Sequence, residues 1–468
     1  MENQEKRAKL TAVDAADDDD GAVEVKQQER GAAKAAKARG VKFQLDEEQE
    51  AREIEKQRRA AIQKQYQEAS ATEDEEQLGP WLSWADQAIN VTLVSSSKTL
   101  SKDVEVAAYH PEFTHQVIGE TEKIYGYEDL QVEVMYSAGA LSSYVGIDYE
   151  DRVDNEDKDA EPDNVIKSII DWMPPTCTTD RSKFLQQCDA DRKAFKPVGD
   201  VVFEGKGKQD ETLQVYLASA DTSGFVDYHS RAQTLAVWSI EQATWLDLTD
   251  TNWRVFYLFK KDTTDDGDVY SLLGFSTVYR YYVFPDKIRP RISQHLVLPP
   301  HQRRGYGTVL YEAVAAHLRT LDDVVDITVE APVPAFEVIR DKIDCKECLK
   351  LPFVADFDFD TTGPQPFVDH VREKLKLSKK QGRHVYELLH FLAVVNGKAS
   401  EETFLQRLKA RLYRPHHHEL AVKNKLRSKL SEQEQRLIDQ QQQALKLTIE
   451  DQSKAVCRDY AARLQPKE

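Results

Sequence analysis

Cysteine is scarce in this chain: five residues in 468, widely scattered. That excludes a disulfide framework and points to a reducing compartment. Cys345 and Cys348 form a lone CxxC. A structural zinc site needs four ligands, and neither a second CxxC nor a suitably spaced histidine pair follows, so no metal is expected. The adjacent His416, His417 and His418 do not replace them, because neighbours on a helix point in different directions. Also missing is any apolar run of the ~20 residues a membrane helix needs. The amino terminus lacks the apolar core of a signal peptide. The expected location is therefore nucleus, cytoplasm or both. Positive charge is in deficit, with 63 Lys and Arg against 81 Asp and Glu, for a net charge of −18. An acidic body repels phosphate backbones, which argues against direct nucleic-acid binding. It attracts basic ligands, a Lys- or Arg-rich peptide first among them.

Aromatic residues are almost absent from the first 77 positions, where the run Asp17–Asp20 leads into Glu-, Lys-, Gln- and Ala-rich sequence. Such a composition cannot bury enough surface to offset chain entropy, so residues 1–78 are expected to be a disordered tail. Within it, Asp46–Gln67 reads at most as a solvated helix, since no apolar face is sustained.

Order is expected from Trp81 onward. An amino-terminal α/β region, 79–210, contains two β-rich runs, Leu130–Tyr136 and Leu141–Tyr149, and then an acidic loop from Asp148 to Asp163. A second region, 211–370, opens with a strand at Thr212–Ala218 and a helix at Arg231–Ala243. Four β-type runs follow at Trp253–Phe259, Leu272–Phe284, Arg291–Leu298 and Asp326–Glu330, with a helix at Gly307–Leu321 before the last. That order implies a mixed, mostly antiparallel α/β sheet. From about Val371 apolar residues recur at helical spacing, and residues 371–468 are expected to form a helical region. Ser431 and Glu434 stand as a capping box near the start of its last, polar segment.

The sharpest local feature is Gln302-Arg303-Arg304-Gly305-Tyr306-Gly307, placed between a predicted strand and a predicted helix. Two glycines let the backbone approach a ligand closely, and the open amides of a helix start favour an anion such as a diphosphate. A Walker A loop would end in Gly-Lys-Ser/Thr, which is absent. A dinucleotide fingerprint would place a third glycine where Leu310 stands. The Gln/Arg-x-x-Gly-x-Gly/Ala signature of the GNAT acetyltransferase superfamily matches in full.

Blocks around this loop carry a closer resemblance. They are His110–Gly119, Tyr136–Ser142, Trp238–Asp247, Val278–Asp286, Arg289–Gln294 and Asp326–Glu330. In order and spacing they resemble the catalytic subunit of type B histone acetyltransferases, over about residues 105–430. The resemblance implies a GNAT fold and an acetyl-CoA site. In that site His295, Leu296 and Val297 line the acyl arm, and Gln302, Arg303, Arg304, Gly305, Tyr306, Gly307 and Thr308 hold the pyrophosphate. It also implies Glu330 as general base, Glu241 as an assisting carboxylate, and substrate contacts at Glu120, Thr121, Glu122, Tyr279, Arg280 and Tyr281. The implied substrate is the amino-terminal tail of newly made histone H4, carried with H3. The implied partner is a WD-repeat histone-binding subunit. Two departures stand out: His295 occupies a place where an apolar residue is usual, and Ala331 replaces a common aspartate. A GNAT enzyme for another amine, and a non-catalytic histone-binding scaffold, remain the alternatives at this stage.

Overall fold

The computed structural model describes residues 79–100, 108–153, 161–426 and 430–464. The tail of residues 1–78, including the stretch at Asp46–Gln67, lies outside the described residues, as does the middle of the acidic loop.

The amino-terminal layer is a four-stranded sheet of β1 (Ile89–Val94), β2 (Ala108–Tyr109), β3 (Gln131–Ser137) and β4 (Ser143–Asp148), in the order β2-β1-β3-β4. Val132, Val134 and Tyr136 alternate inward from β3 and are fully buried, as a two-residue period requires. The two β-rich runs read from the sequence are β3 and β4, and the turn between them takes in Leu141 at φ +61. Helix α1 (Arg181–Ala194), capped by the Asp180 carboxylate accepting the Lys183 amide at 3.0 Å, packs Phe184 and Cys188 against Met135 and Tyr144.

The second sheet has six strands: β5 (Asp200–Lys206), β6 (Thr212–Ala218), β7 (Trp253–Thr264), β8 (Gly267–Val283), β9 (Lys287–Val297) and β10 (Thr328–Val329). Their order is β10-β9-β8-β7-β6-β5, antiparallel throughout except for the parallel β9–β10 pair. Helix α2 (Phe225–Val237) connects β6 to β7 and sits in a core shared by both sheets. Helix α3 (Tyr306–Arg319) joins β9 to β10 and packs on the opposite face with α4 (Pro334–Leu349).

The helix expected at Arg231–Ala243 is displaced. It starts after Gly224 and ends at Val237, and the amides of Ser239 and Ile240 fold back onto the Ala236 carbonyl at 3.1 and 2.8 Å. Two features stop it. The Trp238 indole donates to the Tyr136 hydroxyl at 3.3 Å inside the core, and Gln242 adopts a left-handed φ of +54. Ile240 and Ala243 therefore do not share a helical face with Ala236.

The strand expected at Asp326–Glu330 shrinks to Thr328–Val329, because its first residues have other partners. Asp326 turns inward to Arg289 at 2.5 Å and Arg372 at 3.6 Å, and the Ile327 amide bonds the Lys376 carbonyl at 2.7 Å.

Helical structure begins well before Val371, with α4 and then α5 (Pro364–Leu375). It continues through α6 (Lys379–Val395), α7 (Glu401–Tyr413), α8 (His417–Leu426) and the 33-residue α9 (Glu432–Leu464). The capping box is present at the start of α9: the Glu434 carboxylate accepts the Ser431 amide at 2.8 Å. Cys345 and Cys348 pack inside the carboxy-terminal core, where burial pushes both thiols up.

A buried polar cluster ties α3 to these helices. Asp344, fully buried, accepts from Tyr311 at 3.2 Å, Arg319 at 3.1 Å and Gln381 at 3.1 Å, with Arg340 at 3.6 Å. Next to it, Asp341 accepts from Gln381 at 3.0 Å and from Arg463, at the end of α9, at 2.6 Å; His384 lies 2.9 Å away. Burial alone would raise the Asp341 carboxyl, but its ring of donors holds it below the usual range. Among the described residues, no helix is long and apolar enough to cross a membrane.

Candidate active site

The site is built on β9. Its ladder with β8 slips at one point: Val278 pairs with Ile292, but the next rung joins Thr277 to Gln294, leaving Ser293 as the extra residue of a bulge. A bulge bends the strand and reverses its alternation. Ile292 accordingly faces the α3 side while Leu296 and Leu298 enter the core around α2, although all three are even-numbered. The parallel neighbour β10 pairs only at Arg291 and Ile292, and the Glu330 amide closes the last rung on the Ile292 carbonyl at 2.9 Å. Beyond that rung the two chains part. The edge of β9 from Ser293 to Val297 is left without a strand partner on that side among the described residues. An extended arm bearing amides can pair with such an edge as a strand would.

Where the strands part, Glu330 is exposed and its carboxylate accepts the Ser293 hydroxyl at 2.8 Å. The bulge thus delivers a donor that orients this carboxylate. Sequence reasoning missed Ser293, since nothing in its local sequence marks a bulge.

At the far end of β9, Leu298 leads into a single turn at Pro299–His301, and the Gln302 side-chain amide donates back to the Val297 carbonyl at 3.1 Å. Arg303 and Gly305 take left-handed φ values of +62 and +89. Gly305 is the N-cap of α3 and offers no side chain to the first-turn amides; the Thr308 amide bonds the Gly305 carbonyl at 3.1 Å, which leaves those of Tyr306 and Gly307 open toward the loop. At Gly307 a β-carbon would stand 3.1 Å from Ile339 Cδ1 and 3.5 Å from Val297 Cγ2, so the helix start lies close against the strand. Arg303 and Arg304 are exposed beside it. Open amides, a helix N-terminus and two guanidiniums suit the diphosphate of a coenzyme A carrier.

His295 has its own role. Its Nε2 lies 3.1 Å from the Gly307 carbonyl, and its ring meets Phe336 edge-on at 4.8 Å. Burial pulls the imidazole down to about 4, so the ring is neutral, and Nε2 carries the proton because a carbonyl only accepts. This side chain stitches the strand to the first turn of α3, in addition to whatever its backbone contacts.

On the α2 face of the sheet, three of the matched segments meet. The Glu112 amide donates to the Trp238 carbonyl at 2.9 Å, Gln116 to the Ala243 carbonyl at 3.1 Å, and Gln294 to the Thr244 carbonyl at 3.4 Å. These bonds hold the turn that carries Glu241, which is exposed, against both β9 and the segment leading to Glu120. Glu120 and Thr121 are exposed, whereas the Glu122 carboxylate is taken up by the Thr114 amide at 3.2 Å and the Thr114 hydroxyl. Tyr279 and Tyr281 stack edge-on at 4.7 Å, flanked by Trp253 at 4.9 Å and by the Arg291 guanidinium 4.8 Å above Tyr281. Burial, with Asp250 next to it, pushes the Tyr279 hydroxyl up to about 12. Arg280 does not join them. The pleat turns it to the other face, where it meets Asp323 at 3.5 Å.

Ala331 follows Glu330 with φ +34, in the left-handed region that costs an alanine roughly 1–2 kcal/mol. Aspartate and asparagine tolerate this region better, through local side-chain bonds. Ala331→Asp is expected to raise stability by about 0.5–1 kcal/mol, read as a higher urea midpoint at unchanged slope. A lowered midpoint would show that the backbone here is not strained.

Comparison with known proteins adds to this geometry. The chain matches two family descriptions: "Histone acetyl transferase HAT1 N-terminus" over residues 81–241, and "Histone acetyltransferase type B catalytic subunit, C-terminal" over residues 340–391. The human histone acetyltransferase type B catalytic subunit is 33% identical over 348 residues, covering 73% of this chain and 82% of the relative. Its counterpart in Cryptococcus neoformans is 26% identical over 385 residues, covering 72% and 90%. A crystal structure of an aminoglycoside acetyltransferase from a soil metagenomic sample, in complex with trehalose, is 18% identical. It covers 28% of this chain and 84% of its own, with a TM-score of 0.21.

Proposed function

The chain belongs to the family of type B histone acetyltransferase catalytic subunits, and we propose that it transfers acetyl from acetyl-CoA directly to lysines in the amino-terminal tail of newly synthesised histone H4. Membership makes it an acetyl-CoA-dependent histone acetyltransferase of the GNAT fold; the tail, the base and the route are the proposal. The observation that carries it is the position of Glu330, where β10 leaves β9 beside the open edge of the cofactor strand.

Lysine is a poor nucleophile at neutral pH, because with a pKa of ~10.4 less than about a thousandth is unprotonated. Glu330, held by Ser293, takes the proton directly or through water. Glu241 on the neighbouring turn adds a second carboxylate that favours the cationic substrate and assists. Backbone groups of His295, Leu296 and Val297 pair with the acyl arm, and an amide of this strand steadies the charge that develops on the acetyl oxygen. Gln302 to Thr308 hold the diphosphate. Tyr279 and Tyr281, with Glu120 and Thr121, receive the Gly- and Lys-rich tail through aromatic packing and charge pairing. Arg280 and Glu122 support these surfaces from behind rather than touching the tail.

A WD-repeat histone-binding subunit and the H3–H4 dimer complete the proposed assembly, working in both nucleus and cytoplasm. Mass spectrometry of an H4 tail peptide after incubation with the protein and acetyl-CoA tests the reading: acetyl groups are expected on lysines near its start. An unmodified peptide alongside acetylated spermidine would overturn it in favour of a small-amine acceptor.

A further inference from the structure

We propose that the β5–β6 hairpin is a phosphate clamp, and that Lys208 at its tip selects for the phosphorylated carrier by pairing with phosphate groups of acetyl-CoA. The proposal rests on the reading that Gln302 to Thr308 bind the coenzyme's diphosphate, and deepens it.

The hairpin tip is a built structure rather than a loose turn. The Gly207 amide donates to the Glu211 carbonyl at 2.9 Å, and the Glu211 carboxylate accepts the Gln209 amide at 2.8 Å. Beside it stands Tyr306, the first residue of α3, whose ring is buried in the same core as Leu213 and Val215 of β6; burial, with the Glu211 carboxylate next to it, raises its hydroxyl. This packing gives a place to the tyrosine between the two glycines of the loop, a position the sequence motif leaves free. It sets the hairpin against the helix start.

Lys208 is thereby laid over the N-cap. Its Cε and Cδ stand 3.4 and 3.7 Å from where a β-carbon on Gly305 would lie, so its stem covers the glycine. The other cations of this hairpin and its neighbour are spent. Lys206 donates to the Asp210 carbonyl at 2.9 Å, and Lys260 pairs with Asp262 at 3.0 Å. Lys208 is exposed and has no ion-pair partner among the described residues. The acidic residues next along the hairpin are engaged, Asp210 with Lys206 at 3.8 Å and Glu211 with the Gln209 amide at 2.8 Å. An ammonium poised beside the helix start and the exposed Arg303 and Arg304 suits a phosphate oxygen. Coenzyme A carries two sources of it, the 5′-diphosphate and the 3′-phosphate.

The test uses the full chain, with Lys208→Ala and Lys208→Arg. Isothermal titration of coenzyme A is expected to show about five- to tenfold weaker binding for Lys208→Ala and recovery in Lys208→Arg. In steady state the loss falls on KM for acetyl-CoA, with S-acetylpantetheine, which has no phosphate, used equally by wild type and variant. Loss repeated with dephospho-coenzyme A assigns Lys208 to the diphosphate; loss confined to coenzyme A assigns it to the 3′-phosphate. Unchanged coenzyme A affinity in Lys208→Ala, or an equal loss with S-acetylpantetheine, overturns the clamp. Failure of the wild-type chain to bind coenzyme A would instead overturn the cofactor reading itself.

Discussion

Glu330→Gln is expected to lower turnover by about 10²- to 10⁴-fold, the usual contribution of a positioned base. The substitution keeps the shape of the side chain, and its amide oxygen can still accept the Ser293 hydroxyl, bonded at 2.8 Å in the native protein. The fold and the β9–β10 rung, made by the Glu330 backbone, are left as they are. Only the proton acceptor is removed. Acetyl-CoA affinity, measured by titration, should therefore stay at the wild-type value while kcat collapses. The residual rate should climb steeply with pH, because free lysine amine then has to form without help. A variant within about threefold of wild type would remove Glu330 from the mechanism and make Glu241 the next candidate. The bulge offers a second check. Ser293→Ala leaves the carboxylate in place but unoriented, so it should lose less than Glu330→Gln.

Asp344→Ala should cost about 3–5 kcal/mol of stability, the usual consequence of leaving buried cations without their partner. Asp344 is fully buried, and the side chains of Arg319 and Arg340 beside it are only 13% and 10% exposed. Removing the carboxylate strands both, and also orphans Tyr311 and a donor of Gln381. Urea unfolding measures the loss. Replacing Asp344, Arg319 and Arg340 together by apolar residues of similar size should recover much of it, since replacing a whole buried ion cluster is often neutral. A single variant within about 1 kcal/mol of wild type would mean the cluster is hydrated rather than dry. Because Tyr311 and Arg319 lie on the helix that begins at the loop proposed to hold the cofactor, the variant should also weaken acetyl-CoA binding at temperatures where it remains folded.

The same cluster explains where the sequence misled. Helix α4 hides because Arg340, Asp341 and Asp344 are buried on it beside Phe336, Ile343, Cys345 and Cys348, so charge interrupts the apolar stripe of its inner face. The carboxy-terminal helical region was expected only from about Val371 for that reason. The α2 boundary failed differently: Ala236, Ile240 and Ala243 keep helical spacing on paper, but Trp238 is held by Tyr136, 102 residues away, and the chain turns there. In both cases a long-range contact overrides a local pattern. The short β10 is a third instance, its first residues claimed by Arg289, Arg372 and Lys376.

The sequence by itself determined the strand–loop–helix unit around Gln302 to Gly307, which we propose binds the cofactor. The two glycines, the strand before them and the helix after them are adjacent in the chain, and the backbone geometry of such a unit favours an anion. The ordered blocks likewise determined the family. What only the tertiary structure decided is which side chains share a surface. The bulge at Ser293 reverses the alternation of β9 and supplies the partner of Glu330. The pleat of β8 separates Arg280 from Tyr279 and Tyr281, and Thr114 takes the carboxylate of Glu122. Lys208 reaches Gly305, 97 positions later, because Tyr306 packs with Leu213 and Val215 of the hairpin. Residues far apart in the chain carry no mark of such meetings, since the contact energy that selects them exists only once the sheets, helices and their register are in place.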